Sequence, residues 1–385
     1  MASVTLGLMG FWPGLLAFLL IWLFVMATGL LYVEALLVNP RGANVASISS
    51  RLIGPFGNIL GSTTFIILNY SYLITYFALS SSILTQFLTS YFDLPGLHFW
   101  YIVLILAILE GIIFMSLSFT FLVNFIFMAF FFVSFIAIVI LGIPVINETF
   151  LSHTYWLYLV FGIPVIFDAF FYQSMLPMIV NFLERDRKKI KIALWVGVTL
   201  TLVVFLLWSL ITIGSQAYDT FLEAFSRGKT QEAGYLFLSK IPIFGKWILP
   251  MTLCTTCAAF LVTGASFVDF WGDLFKISLD ERNRAGWKRA ALCALVFVPS
   301  LFFTFIPSHF LNILNLVTEF GELLIGGILP IWWIWNARYT HQLSKTPLLG
   351  GGKWMLGLLG VAIFFLFYFI GINIIYQMEW STIPA

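Results

Sequence analysis

From about residue 15 onward, runs of eighteen or more predominantly apolar residues follow one another with only short polar interruptions. A run of that length is what an α-helix needs to cross a hydrocarbon layer of about 30 Å. Hydrocarbon admits only structures whose peptide groups bond among themselves. The chain is therefore restricted to a bundle of spanning helices, an all-α polytopic membrane protein. Only 9% of its 385 residues are charged, whereas soluble domains typically carry about 25%. Spans are expected at about 15–38, 56–88, 98–117, 119–146, 155–181, 190–214, 246–275, 289–306, 311–335 and 354–376. That gives about ten full spans plus a partial first helix, Met1 to Gly10, too short to cross. No basic stretch precedes this stub and no small-residue cleavage site follows it, so a signal peptide is not expected. Loops are short, and residues 1–385 are expected to form a single transmembrane domain. A short amphipathic helix is expected from Asp219 to Phe225.

Basic residues set the orientation, because they accumulate in cytoplasmic loops. Segments 39–53, 182–191, 276–289 and 336–353 fall on one side of the alternating spans and hold fifteen of the nineteen Lys and Arg. The opposite side holds only Arg227, Lys229, Lys240 and Lys246. The C-terminus is then outside, and the N-terminal stub lies at the outer face.

One span is unlike the rest. Gly162 to Asn181 reads GIPVIFDAFFYQSMLPMIVN, with Pro164 and Pro177 flanking Asp168, Tyr172, Gln173 and Ser174. A membrane helix breaks only where protein or a water-filled cavity takes over its freed hydrogen bonds. The stretch reads as a discontinuous helix lining a polar solute site near mid-membrane. The alternative is a proline-kinked packing helix, since Pro and Gly are frequent in membrane helices.

Seven acidic residues fall within or at the ends of spans: Glu34, Glu110, Asp168, Asp269, Asp273, Glu319 and Glu322. No Lys or Arg lies in the hydrophobic middle to pair with them. Asp168 and Glu319, mid-span beside small or helix-breaking residues, read as functional, because an ionisable group at that depth is expensive to keep. Glu34 and Asp273 stand between that reading and pairing with loop cations. Asp269, Glu322 and Glu110 read as structural. Asn69, Tyr70, Tyr72 and Tyr76 add a polar-aromatic stripe, read as helix packing or as facing the same cavity.

Other chemistries find little support. Cys254 and Cys257 have redox-motif spacing but lie, like Cys293, in apolar helix, where packing is the simpler role. His98, His153, His309 and His341 sit in or beside loops, so no intramembrane metal site is expected. No nucleophile–base pair or phosphate loop appears, which argues against an enzyme, and a net charge of +2 implies no nucleic-acid partner.

Four stretches together carry a resemblance. The run PVIFDAFFYQSMLPMIVNFLERDRKKIK from Pro164 to Lys191 resembles the sixth helix and following loop of the bacterial aromatic amino acid permeases, the tyrosine and tryptophan permease family. Gly29-Leu-Leu-Tyr-Val-Glu34 is similar to their second helix. Ala259 to Asp269 with Asp273-Leu-Phe is similar to the eighth, and Phe320-Gly321 through Pro330 to the tenth. The resemblance implies a leucine-transporter-type inverted-repeat fold. It implies a secondary transporter importing tyrosine or tryptophan by proton symport and alternating access in a bacterial inner membrane, with the proton gradient as its only cofactor. Phe170, Phe171 and Tyr172 would enclose the substrate ring, with Tyr70 beside them, while Gln173 and Ser174 bond its polar atoms. Glu34, Asp168 and Glu319 would carry or gate protons. Family members begin with a glycine-rich broken first helix, approximately G-T-x-I-G-A-G-x-L-x-x-P, of which Met1 to Gly10 matches only the outer half. A start upstream of Met1 is the expectation, a truncated chain the alternative. Gln173 and Phe171 stand where relatives commonly have His and Gly, so preference within the aromatic class stays open. A carrier of another neutral amino acid, or a truncated non-transporting membrane protein, are the remaining readings.

Overall fold

Where no water can bond a peptide group, a chain closes its hydrogen bonds within itself as helix. The computed structural model describes residues 2–92, 98–226, 242–304, 317–344 and 346–381. It is built from helices, with no strand among the described residues. In order they are α1 (Ala2–Met9), α2 (Phe11–Val38), α3 (Val45–Leu52), α4 (Pro55–Phe92), α5 (His98–Met115), α6 (Leu117–Gly142), α7 (Leu159–Ala169), α8 (Leu176–Phe182), α9 (Arg187–Gly214), α10 (Tyr218–Ser226), α11 (Pro242–Leu274), α12 (Trp287–Thr304), α13 (Val317–Thr340) and α14 (Gly352–Ser381).

Eight helical stretches among the described residues are long and apolar enough to cross a membrane, fewer than the ten expected. Two expected spans are not among these eight. Residues 98–117 stop at Met115 because Ser116, fully extended, starts a new helix by accepting a hydrogen bond from Phe119 N at 3.1 Å. The span expected at 289–306 is described as far as Thr304, as α12, whose first turn carries Lys288 and Arg289. The span expected at 311–335 begins outside the described residues and continues as α13. The amphipathic helix expected at Asp219–Phe225 is α10. Of the basic residues assigned to the outer side, Arg227, Lys229 and Lys240 lie outside the described residues.

The core is organised around α2, whose residues from Thr28 to Leu36 are all buried. It packs against α7, α8, α9 and α13, while α11 packs against α4, α5, α6 and α12. The stub α1 ends at Gly10, where φ of +88° and the carbonyl of His153, 2.2 Å from where a Cβ would sit, leave room only for glycine. It packs against α7 and α10, at the end of the bundle expected to face outward. The outer surface is apolar: Phe125, Ile126 and Ile140 on α6 and Leu358 and Phe364 on α14 are all exposed, as lipid-facing side chains are.

At the opposite end the expected basic segments meet. Arg185 Nη2 donates to the carbonyls of Leu36, Leu37 and Asn39 at 3.2, 2.8 and 2.9 Å, satisfying the bare C-terminus of α2. Arg51 donates to Val38 O at 3.0 Å. Asp186 caps α9 by accepting from Lys188 N and Lys189 N at 2.8 and 3.1 Å, and those donors hold its carboxyl below the usual carboxylate range.

Candidate functional site

The break expected within 162–181 is present. α7 closes with a tight final turn in which Phe170 N donates to Ile166 O and Phe167 O, and Phe171 N to Asp168 O at 3.0 Å. Phe171 and Tyr172 then leave helical geometry, and a single 3₁₀ turn, Gln173–Met175, leads into α8. Gln173 folds back so that its Oε1 accepts from Tyr172 N at 3.0 Å, supplying a bond the helix no longer makes. Pro177 falls in the first turn of α8, where a missing N–H costs nothing. Here proline starts a helix rather than kinking one.

Four helices enclose the break. On α2, Val25 O accepts from the Tyr172 hydroxyl at 3.1 Å, and Thr28 Oγ1 accepts from Gln173 Nε2 at 3.4 Å. Gly29 lies so close that a Cβ there would be 1.9 Å from the Tyr172 oxygen. On α13, Gly326 sits in a π-helical stretch, Leu324–Ile328, with a Cβ position 3.1 Å from the Phe171 ring. On α11, Ser266 Oγ donates to Ser174 O at 2.6 Å. On α4, the Tyr72 ring lies 6.1 Å from that of Phe171. Gln173 and Ser174 are buried, and Ser174 Oγ has no hydrogen-bond partner. Phe171 and Tyr172, both half-buried, occupy the gap between the two helical arms. Two clefts lie elsewhere: one of about 360 Å³ bordered by Trp332, Trp335 and Ile363, the other of about 290 Å³ bordered by Arg41, Ser118 and Asn181.

Beside the break stands a group of acids. Asp168, in the last turn of α7, is exposed and lies within electrostatic reach of Glu319, Glu322, Tyr72 and Tyr76. Glu319 is half-buried, with Asn373 Nδ2 donating at 3.4 Å. Glu322 is fully buried. Its Oε1 accepts from the Tyr72 hydroxyl, and its Oε2 has no partner. Among the described residues no Lys, Arg or His pairs with any of the three.

Three of the four remaining intramembrane acids, Glu34, Asp269 and Asp273, do have cations. Glu34 accepts from Arg338 Nε and Nη2 at 2.8 and 2.6 Å, from Ser344 Oγ at 2.7 Å and from Leu348 N at 2.8 Å. Asp269 and Asp273 share Arg282 at 3.3 and 3.8 Å and receive donors from Asn44 and Ser47. Arg282 also donates to Gly42 O at 3.1 Å, and Gly42 N donates to Asn181 Oδ1 on α8 at 3.2 Å. This network ties α8, the second arm of the broken helix, to α11 and to the loop after α2.

Several sequence expectations need correcting. Phe170 does not face the break's open side. It packs on Phe18 and Phe205 with ring centroids at 6.2 and 5.6 Å. Tyr70 points away as well: its hydroxyl donates to Leu295 O at 2.7 Å and its ring meets Phe267. Tyr72 takes the place assigned to it. Glu34 is a saturated ion pair far along α2 from the break, so it is no free carboxylate. Glu322, read as structural, lies beside Asp168. Its spacing of three from Glu319, on a segment rich in glycine, was the signal in the sequence.

Long apolar helices, a lipid-facing surface and a broken helix clasped by its neighbours define a multi-pass membrane protein of the transport class. The tryptophan/tyrosine permease family matches residues 3–369, and the chain belongs to that family. It is 25% identical over 354 residues to the tyrosine-specific transport system 1 of Haemophilus influenzae, covering 89% of this chain and 85% of that one. It is 25% identical over 324 residues to the tryptophan-specific transport protein of Pseudomonas aeruginosa, covering 78% and 73%. Against the low affinity tryptophan permease of Escherichia coli O157:H7 the identity is 23% over 328 residues, covering 81% and 77%. The family and these relatives are transport proteins, not enzymes.

Proposed function

We propose that this chain carries tyrosine or tryptophan across the membrane by proton-coupled alternating access, with the substrate taken up at the helix break. The observation that carries the reading is the break itself: the chain gives up helical bonding at Phe171–Tyr172 and closes the gap with side chains of the polar and aromatic types that an aromatic amino acid requires. Phe171 and Tyr172 offer aromatic faces to the substrate ring. Gln173 and Ser174 offer buried polar atoms, one still unpartnered, to its ammonium or carboxylate. Phe170 backs this wall from the α9 side. Substrate enters as Phe171 and Tyr172 swing aside. The ion-pair networks at one end and the exposed Asp168 near the break support a carrier closed at its inner face. Asp168 and Glu319 are the acids placed to exchange protons with the open side. The reading includes a single transporter domain with the leucine-transporter-type repeat, in a bacterial inner membrane, with the C-terminus outside.

The test is uptake of labelled tyrosine and tryptophan into proteoliposomes. Each should displace the other far better than leucine does, and equal competition by leucine refutes the aromatic assignment. Gln173→Ala should lower uptake about tenfold, equivalent to roughly 1.4 kcal/mol, with protein levels unchanged. Unaltered kinetics would remove Gln173 from the site.

A further inference from the structure

We propose that Glu322, held by Tyr72 and facing Asp168 on the broken helix, is a proton-binding site whose loading and unloading is coupled to the solute step. The inference rests on the carrier reading above and assigns its coupling ion to a specific oxygen.

Glu322 is 1% exposed. The Tyr72 hydroxyl donates to its Oε1, while Oε2 meets no donor at all. An ionised carboxylate with one oxygen bare and buried is heavily penalised, whereas a protonated one is not. The charged or titratable groups facing it are Tyr72 and Tyr76 from α4, Asp168 from α7 and Glu319 from its own helix. Every one is an acid. With acids facing it and no cation beside it, Glu322 is the carboxyl that holds the proton.

The contrast within the molecule is direct. Glu34 is saturated by Arg338, and Asp269 and Asp273 share Arg282, so those acids are fixed as ions. Glu322 has no such partner, and its bare Oε2 is where a proton fits. A metal ion fits poorly, because among the described residues no group of three or more His, Cys, Asp or Glu is arranged to hold one.

The pair also has the right access. Asp168 is exposed and Glu322 is buried, so one member is open to the outside of the bundle and the other is not. A proton arriving by way of Asp168 settles on Oε2 of Glu322, which becomes neutral. Its release returns a negative charge to Glu322, opposite the Asp168 carboxyl across α7 and α13. Asp168 O accepts from Phe171 N in the turn that opens the break, so repulsion at the pair bears on the residues that enclose the substrate. One proton enters and one leaves for each cycle, with no other bond made or broken.

The test uses the full chain in proteoliposomes with labelled tyrosine or tryptophan and two readouts. One is exchange with internal substrate at equal pH. The other is accumulation driven by an imposed pH gradient, followed with an internal pH dye. Glu322→Gln should reduce gradient-driven accumulation and substrate-induced proton entry about tenfold more than exchange. Equal loss in both readouts, or accumulation at the unmodified level, overturns the proposal. Tyr72→Phe keeps the carboxyl but removes the donor that favours its deprotonated form. It should move the pH of half-maximal uptake upward by about one unit, and an unmoved profile overturns the proposal even if Glu322→Gln fails to accumulate in the membrane. Failure of the unmodified protein to exchange either aromatic acid overturns the carrier reading, and this inference with it.

Discussion

Replacing Arg338 with Met is expected to destabilise the folded protein by about 3–5 kcal/mol, because it strands a charge in a dry site. The Glu34 carboxylate is 2% exposed on its side chain and receives four donors, two of them from Arg338. Removing the guanidinium leaves Ser344 and Leu348 to hold a full negative charge. Arg338 also donates to Leu349 O at 3.0 Å, so the same side chain orders the loop after α13. The double replacement Glu34→Leu with Arg338→Met should recover most of the loss, since a whole buried pair exchanged for apolar groups is often neutral. Thermal unfolding in detergent measures both. An Arg338→Met protein as stable as the unmodified one would show that the pair contributes nothing. A double variant no better than the single would show that the loop contact, not the charge, matters.

Gly29→Ala is expected to cut uptake more than tenfold while costing only about 1–3 kcal/mol of stability, the range for overpacking a close contact. The added Cβ would lie 1.9 Å from the Tyr172 oxygen and 2.9 Å from its Cζ. Tyr172 must then leave α2, giving up its bond to Val25 O and unsettling Gln173, which bonds Tyr172 N and Thr28. Adding Tyr172→Phe removes the nearer atom and keeps the farther one, so stability should return only in part. Uptake and melting temperature together decide this. Unmodified uptake by Gly29→Ala would mean that Tyr172 does not need its seat on α2.

How much of this was legible in the letters depends on distance along the chain. The break could be read because its causes are local: two prolines and four polar residues inside one apolar run. The helical class could be read because hydrocarbon leaves few options. Facing could not. Tyr70 and Tyr72 are two residues apart, so a helix turns them about 200° from each other; one meets α12 and the other Glu322. Phe170 and Phe171 are neighbours, yet the irregular backbone between α7 and α8 sends one into the core and the other toward α4. Partners distant in sequence were equally hidden. Glu34 finds Arg338 some three hundred residues later, and nothing near either residue announces it.

α13 contains two wide turns, Leu324–Ile328 and Asn336–Thr340, on either side of a regular segment, Leu329–Trp335. Each such turn houses one residue more than ordinary coiling would use. Squeezing that surplus out twists everything beyond it by about 100° and lengthens the rod by about 1.5 Å. Glu322 and Arg338, the one bare carboxyl and the one saturated guanidinium of this helix, lie on opposite sides of the regular segment between the two turns.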